Sequence, residues 1–185
     1  LAEIGAASAW YYTPMARAFS AHVPWRGIAF DCMDDLARFR FAPVVFTHDI
    51  GTLRAIPDFV AINSTIEIDL LSQCNAETIG GRQMSGAGGL VDFLRGARGA
   101  KNGRAIVALQ STAKGGSLSR IVPQLEKGAN VSIARGDVDI VVTENGVGDL
   151  RGKGLDARAE ALIEIAAPAF REELAARWRE VRKSL

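Results

Sequence analysis

Apolar positions along the chain follow two periods. Short β-rich runs occur at PVVFT (43–47), FVAI (59–62), IEIDLL (66–71), RAIVAL (104–109), NVSIA (130–134) and DIVVTE (139–144). Some alternate apolar and polar residues, as half-buried strands do; others are continuous, as in strands covered on both faces. Helical spacing appears over 30–39, over 89–97 and most clearly over 155–183. In the last of these, Leu155, Ala159, Leu162, Ile163 and Ala166 form one stripe, and Phe170, Leu174, Trp178 and Val181 a second. Pro168 stands between them, placed for the first position of a new helix, where its missing N–H is not needed. The simplest reading of this tail is two amphipathic helices packed on a sheet.

Strand, glycine-rich turn, helix, strand is the grammar of an α/β layered domain. Short punctuation (GTL, GAGG, NGR, KGGS, KGAN, RGD, ENG) and the lack of any long linker, repeat or low-complexity tract predict a single domain. The expected architecture is a layered sheet with flanking helices, with ligands at loops beyond the carboxyl ends of strands. A chain of 185 residues, 48% hydrophobic and 23% charged, can bury a proper core.

The formal net charge of +1 gives no electrostatic case for nucleic acid or an acidic membrane surface. No apolar stretch reaches bilayer-spanning length, and no signal-peptide pattern opens the chain. The cysteines, Cys32 and Cys74, lie far apart with no metal-ligand spacing, which predicts reduced thiols in a cytoplasmic protein. The histidines, His22 and His48, form no HxxxH or HxH pattern, so no metal site is expected. The first residue is Leu1, and LAEIGAASAWYY reads as mid-protein sequence, so a longer parent polypeptide is expected.

Four features carry candidate chemistry. SGAGGLVDF (85–93) places three glycines in five residues ahead of a helix-compatible run. It lacks both the third glycine of a dinucleotide fingerprint and the Lys-Ser/Thr of a P-loop. It suits either close helix–sheet packing or bare N–H groups facing an anion or a developing oxyanion. STAKGGSLSRIV (111–122) offers hydroxyls, Lys114, glycines and Arg120 at a strand exit, suited to a phosphate or to a solvated turn. In TENGVGDLRGK (143–153), Glu144 follows a strand as a nucleophile, a base or a structural partner. His48, in THD after an apolar run, reads as a cleft residue or a hydrogen-bonded loop histidine.

INSTIEIDLLSQCNAETIGGRQMSGAGGLVDFLRGA (62–97), the stretch 111–174 and, more loosely, APVVFTHD (42–49) together resemble the carboxyl-terminal domain of the acetyl-CoA hydrolase/transferase family. This family includes 4-hydroxybutyrate and succinyl-CoA:acetate CoA-transferases. The resemblance is specific through 62–174 and poor over 1–41. It implies a NagB/RpiA-like lobe, with residues 1–185 forming the carboxyl-terminal part of a two-lobed enzyme that holds coenzyme A between its lobes. It further implies a glutamate that attacks an acyl-CoA thioester, giving a mixed anhydride and then an enzyme–CoA thioester that delivers CoA to a carboxylate.

By the same resemblance, Ile66, Ser85, the paired Gly88 and Gly89, and Lys114 occupy CoA-contacting positions, with Gly89 also serving the oxyanion. Lys114 suits a phosphate by charge. The family's nucleophilic glutamate lies upstream of the PVVFT run; Glu3 alone precedes that run here and its surroundings do not match. The nucleophile is therefore expected outside this chain, and Glu144 is not the attacking group. His48 replaces a common asparagine, and could bind the acyl group or position a water for hydrolysis. Ser72 and Cys74 replace glycine and valine, small-for-small changes that say little about chemistry. The expected partners are acyl-CoA, a carboxylate and the amino-terminal lobe; exposed lobe-facing surface favours self-association, a homodimer being the simplest form. The alternatives are acyl-CoA hydrolysis and a non-catalytic CoA-binding module.

Overall fold

The computed structural model describes residues 8–11, 27–30 and 42–185. In chain order, strands β1 (Ser8–Tyr11) and β2 (Gly27–Phe30) pair in parallel, and two short helices, α1 (Val44–Thr47) and α2 (Ile50–Arg54), lead into β3 (Val60–Ser64). Four short strands follow: β4 (Glu67–Asp69), β5 (Cys74–Asn75), β6 (Thr78–Ile79) and β7 (Arg82–Gln83). Then come helix α3 (Leu90–Gly99), β8 (Arg104–Ala108), β9 (Thr112–Ala113), β10 (Leu118–Ser119) and β11 (Ile121–Val122). β12 (Ile140–Thr143), β13 (Gly146–Asp149), α4 (Leu155–Glu164) and α5 (Pro168–Arg182) complete the chain.

The principal sheet has the order β13-β12-β8-β3. β3, β8 and β12 run parallel, with Ile62, Ile106 and Ile140 in register, and β13 closes the far edge antiparallel. Parallel neighbours require a crossover, which α3 supplies between β3 and β8. Its apolar face (Leu90, Phe93, Leu94 and Ala97) is buried and packs on those two strands. Alternation along the strands does the rest: Ala61, Ala105 and Val107 are buried, while Val60 and Ile62 are exposed. Burying a side chain such as Leu94, which has no exposed surface, stabilises the domain by roughly 1.5–3 kcal/mol.

A smaller sheet, β11-β4-β5, places Ile68, Cys74 and Ile121 in the same core. The tail forms two helices broken at Pro168, as the stripes predict: Ala159, Leu162, Ala166, Leu174 and Trp178 are buried. Arg158 of α4 ties that helix to the loops, donating to Ser72 Oγ at 3.0 Å and to the carbonyls of Leu150, Arg135 and Val138.

Three expectations need correction. PVVFT (43–47) is no strand: Val44–Thr47 closes a helical turn, with the Phe46 and Thr47 amides on the Pro43 carbonyl. β-propensity is realised only where a partner strand supplies hydrogen bonds, and without one this run satisfies its backbone locally. NVSIA (130–134) is irregular, touching the sheet by a single bridge between Cys74 and Ile133, because a tight turn at Arg135–Asp137 follows at once. The stretch 143–153, for which the apolar pattern predicts no strand beyond Glu144 and which therefore reads as a loop, contains β13, whose hairpin with β12 places Thr143 opposite Gly146. The helix expected over 30–39 lies mostly outside the described residues.

Candidate functional site: the glycine segment and the strand-end cleft

The glycine segment is held from behind by a buried hub. Asn75 has no exposed surface and satisfies all its side-chain capacity: Oδ1 accepts from the Glu77 and Thr78 amides and Thr78 Oγ1, and Nδ2 donates to Glu67 Oε1 and the Thr78 carbonyl. The Ile66 amide donates to the Asn75 carbonyl at 2.9 Å, and Ser85 Oγ donates to the Ala76 carbonyl at 3.1 Å. Ile66 and Ser85, far apart in sequence, are thereby anchored to adjacent residues. Ser85 spends its proton holding the loop.

Gly88 adopts φ +54°, a left-handed conformation that glycine enters at little cost, and turns the chain into α3. Gly89 has ordinary dihedrals but no room: a Cβ there would collide with Nε2 and Cδ2 of His48 and lie 2.8 Å from Cε2 of Phe93. Gly88 thus makes a turn and Gly89 a close approach, the latter to the His48 and Phe93 rings rather than to the sheet. No side chain caps α3, so its opening N–H groups have no side-chain acceptor. His48 follows α1, stacks edge-on against Phe93 with ring centroids 5.0 Å apart, and has Nδ1 3.0 Å from Thr47 Oγ1.

Lys114 stands elsewhere, exposed in a tight turn between β9 and β10 with φ +49°. Among the described residues, no hydrogen bond or ion pair joins it to the glycine segment. The structure joins Gly89 to His48 and anchors Ile66 and Ser85 on the neighbouring residues Asn75 and Ala76, while Lys114 lies in the β9–β10 turn.

Beyond the carboxyl ends of β3, β8 and β12 lies an open cleft of about 460 Å³, lined by residues including Ser64, Ala108, Gln110, Arg120, Val142 and Glu144. Ligands collect at this place in parallel α/β sheets. Glu144 is held by Ser111, whose amide donates to Oε2 at 2.9 Å and whose hydroxyl donates to Oε1. Asn145 Nδ2 donates in turn to Ser111 Oγ at 3.0 Å. The Ser111 hydroxyl, followed by its amide, holds the Glu144 carboxyl below the usual range. A carboxylate with both oxygens engaged is a structural anion rather than a nucleophile. The Ser111–Glu144 pairing spans 33 residues and left no mark in the sequence.

Among the described residues, no three His, Cys, Asp or Glu side chains gather as a metal site, and no helix is long and apolar enough to cross a membrane.

Comparison with known proteins bears on the fold and the family. Residues 28–178 match the family model described as the acetyl-CoA hydrolase/transferase C-terminal domain. The chain is 54% identical over 117 residues to 4-hydroxybutyrate coenzyme A transferase of Clostridium kluyveri, covering 63% of this chain and 27% of that one. It is 43% identical over 145 residues to succinyl-CoA:cyclohexane-1-carboxylate CoA transferase of Geobacter metallireducens, covering 78% and 33%. Among solved structures, RipA from Yersinia pestis superposes with a TM-score of 0.72 at 35% identity, covering 84% of this chain and 32% of that one. The 4-hydroxybutyrate CoA-transferase of Porphyromonas gingivalis superposes with a TM-score of 0.71 at 28% identity, covering 98% and 52%. The chain thus spans about a third of the length of the curated relatives it matches. Fold, glycine segment and comparisons lead to one conclusion: the chain belongs to the acetyl-CoA hydrolase/transferase family, whose members are CoA-transferases and acetyl-CoA hydrolases.

Proposed function

We propose that residues 1–185 are the CoA-binding, carboxyl-terminal part of a CoA-transferase that moves CoA between a short-chain acyl-CoA and a carboxylate. The reading rests on one observation above others: a left-handed Gly88 and a sterically closed Gly89 open a helix that no side chain caps. Such N–H groups stabilise the oxyanion formed when a carbonyl is attacked. A glutamate supplied from outside this chain attacks the thioester carbonyl, expelling CoA thiolate and leaving a mixed anhydride. The thiolate then attacks the glutamyl carbonyl, the acyl carboxylate leaves, and a glutamyl–CoA thioester remains for the acceptor acid. Ile66, Ser85 and Gly88 shape the CoA groove from the Asn75 hub. Lys114, on its own exposed loop, meets a phosphate of CoA where the cofactor reaches beyond that groove.

A second reading, hydrolysis, is favoured by His48, whose ring packs against Gly89 at the start of α3. Exchange of labelled acetate into acetyl-CoA separates the readings. The expected result is no exchange and no free-CoA release by the 185-residue chain, and exchange by the longer parent protein. Transfer by the chain itself would overturn the assignment of the nucleophile to another lobe; release of CoA by the parent without exchange would favour hydrolysis.

A further inference from the structure

The strand-end cleft contains a cation that the reading above leaves unused. Arg120 is half-buried and lines the cleft, yet among the described residues its guanidinium has no hydrogen-bond or ion-pair partner. The other half-buried arginines among the described residues are matched: Arg158 to four oxygen acceptors and Arg171 to the Ala166 carbonyl. Ser64 and Gln110 line the same cleft, likewise with side chains unpartnered among the described residues, over an apolar floor that includes Ala108 and Val142. A concave, mostly apolar space with a few convergent polar groups is the form of a small-molecule site.

The Arg120 backbone is fixed on both sides, which holds the residue at the cleft. Its amide donates to the Ser111 carbonyl at 2.8 Å, and its carbonyl accepts from the Ile68 amide at 3.0 Å. Guanidinium presents a planar fork of donors matched to two coplanar oxygens. Glu144 also lines the cleft as an anion, so a single carboxylate is tolerated there better than the more highly charged phosphates of CoA.

We infer that Arg120, with Ser64 and Gln110, forms a binding site for the carboxylate of a short organic acid at the mouth of the parallel sheet. The inference rests on the CoA-transferase reading for its place in the reaction: the site would hold the acceptor acid, or the distal carboxylate of a dicarboxylic one.

The Nε–Hε NMR signal of Arg120, assigned by its loss in Arg120→Lys, reports on the site directly in the 185-residue chain. Succinate and acetate should each shift it saturably, together with the Gln110 amide signals; followed through those Gln110 signals, which the variants keep, Arg120→Gln should weaken succinate binding by about tenfold or more, the worth of one charge-assisted pair. Arg120→Lys keeps the charge but loses the fork, and should weaken binding less. Unchanged core methyl signals in both variants establish that they fold. A signal that ignores both acids, or one that moves with inorganic phosphate or CoA and not with the acids, overturns the inference. CoA titrated into the same sample tests the other reading separately, through the Ser85–Gly89 amides: carboxylate binding without that response supports the Arg120 site while removing the CoA groove.

Discussion

Replacing Gly89 by alanine probes the step that defines the candidate site. The backbone there is ordinary (φ −85°, ψ 7°), so an alanine meets no conformational strain. By itself the change would stabilise the domain by about 0.4–1 kcal/mol, through the lower entropy of the unfolded chain. Against this stands the added methyl, which would overlap the His48 ring and press on Phe93 at 2.8 Å. Phe93 is buried and cannot retreat freely, so His48 must leave its place. Overpacking of this kind costs about 1–3 kcal/mol, which outweighs the entropic gain. Gly89→Ala should therefore lower stability by up to about 2.5 kcal/mol, the difference of those two effects. In a His48→Ala background the larger obstruction is gone and only the Phe93 contact at 2.8 Å remains, so the same change should cost measurably less. Urea unfolding of the four proteins gives the coupling directly. An equal cost of Gly89→Ala in both backgrounds would refute the steric argument.

Other outcomes follow from the same contacts. Ser111→Ala removes the leading hydrogen bond that holds the Glu144 carboxyl down, so its titration, followed by carbon-13 NMR, should move up toward the ordinary value of 4.5. Because the folded value is the lower one, this group's contribution to stability is present above 4.5 and lost as pH falls through the folded value; the variant should lose less stability across that acid window. Arg151→Ala should raise the Asp149 carboxyl from about 2, where the Arg151 guanidinium holds it, which the same titration reads. Leu162→Ala, at a position with no exposed surface, should cost about 2–5 kcal/mol in urea unfolding. Ser72→Gly relieves a residue held at φ +66°, worth about 1–2 kcal/mol, but removes the acceptor of an arginine hydrogen bond worth about 1.5–3 kcal/mol; a small net loss is expected in thermal unfolding.

The helices of the tail were legible because their stripes are long and periodic, and Pro168 marks the break between them. β3, β8 and β12 were legible because each is a compact apolar run between turns. PVVFT misled because its composition says strand, whereas the outcome depends on whether another strand lies beside it; exposed Val44 and Val45 show that none does among the described residues. β13 was hidden by Gly146 and Gly148, since a Cβ at position 148 would approach the Ala161 carbonyl of α4 at 3.3 Å. At the site, the glycines, His48 and Glu144 were visible as residue types. What they touch was not: the contact of His48 with Gly89, the grip of Ser111 on Glu144 and the Asn75 hub join positions 33 to 41 residues apart or bind a whole loop through one side chain.

Titration of the 185-residue chain with coenzyme A, followed through its backbone amide NMR signals, tests the proposed CoA-binding role most directly. Saturable shifts centred on Ser85–Gly89 and the first turn of α3, with binding weakened by Gly89→Ala, are the predicted result. Absence of any shift in that segment at millimolar CoA would contradict it.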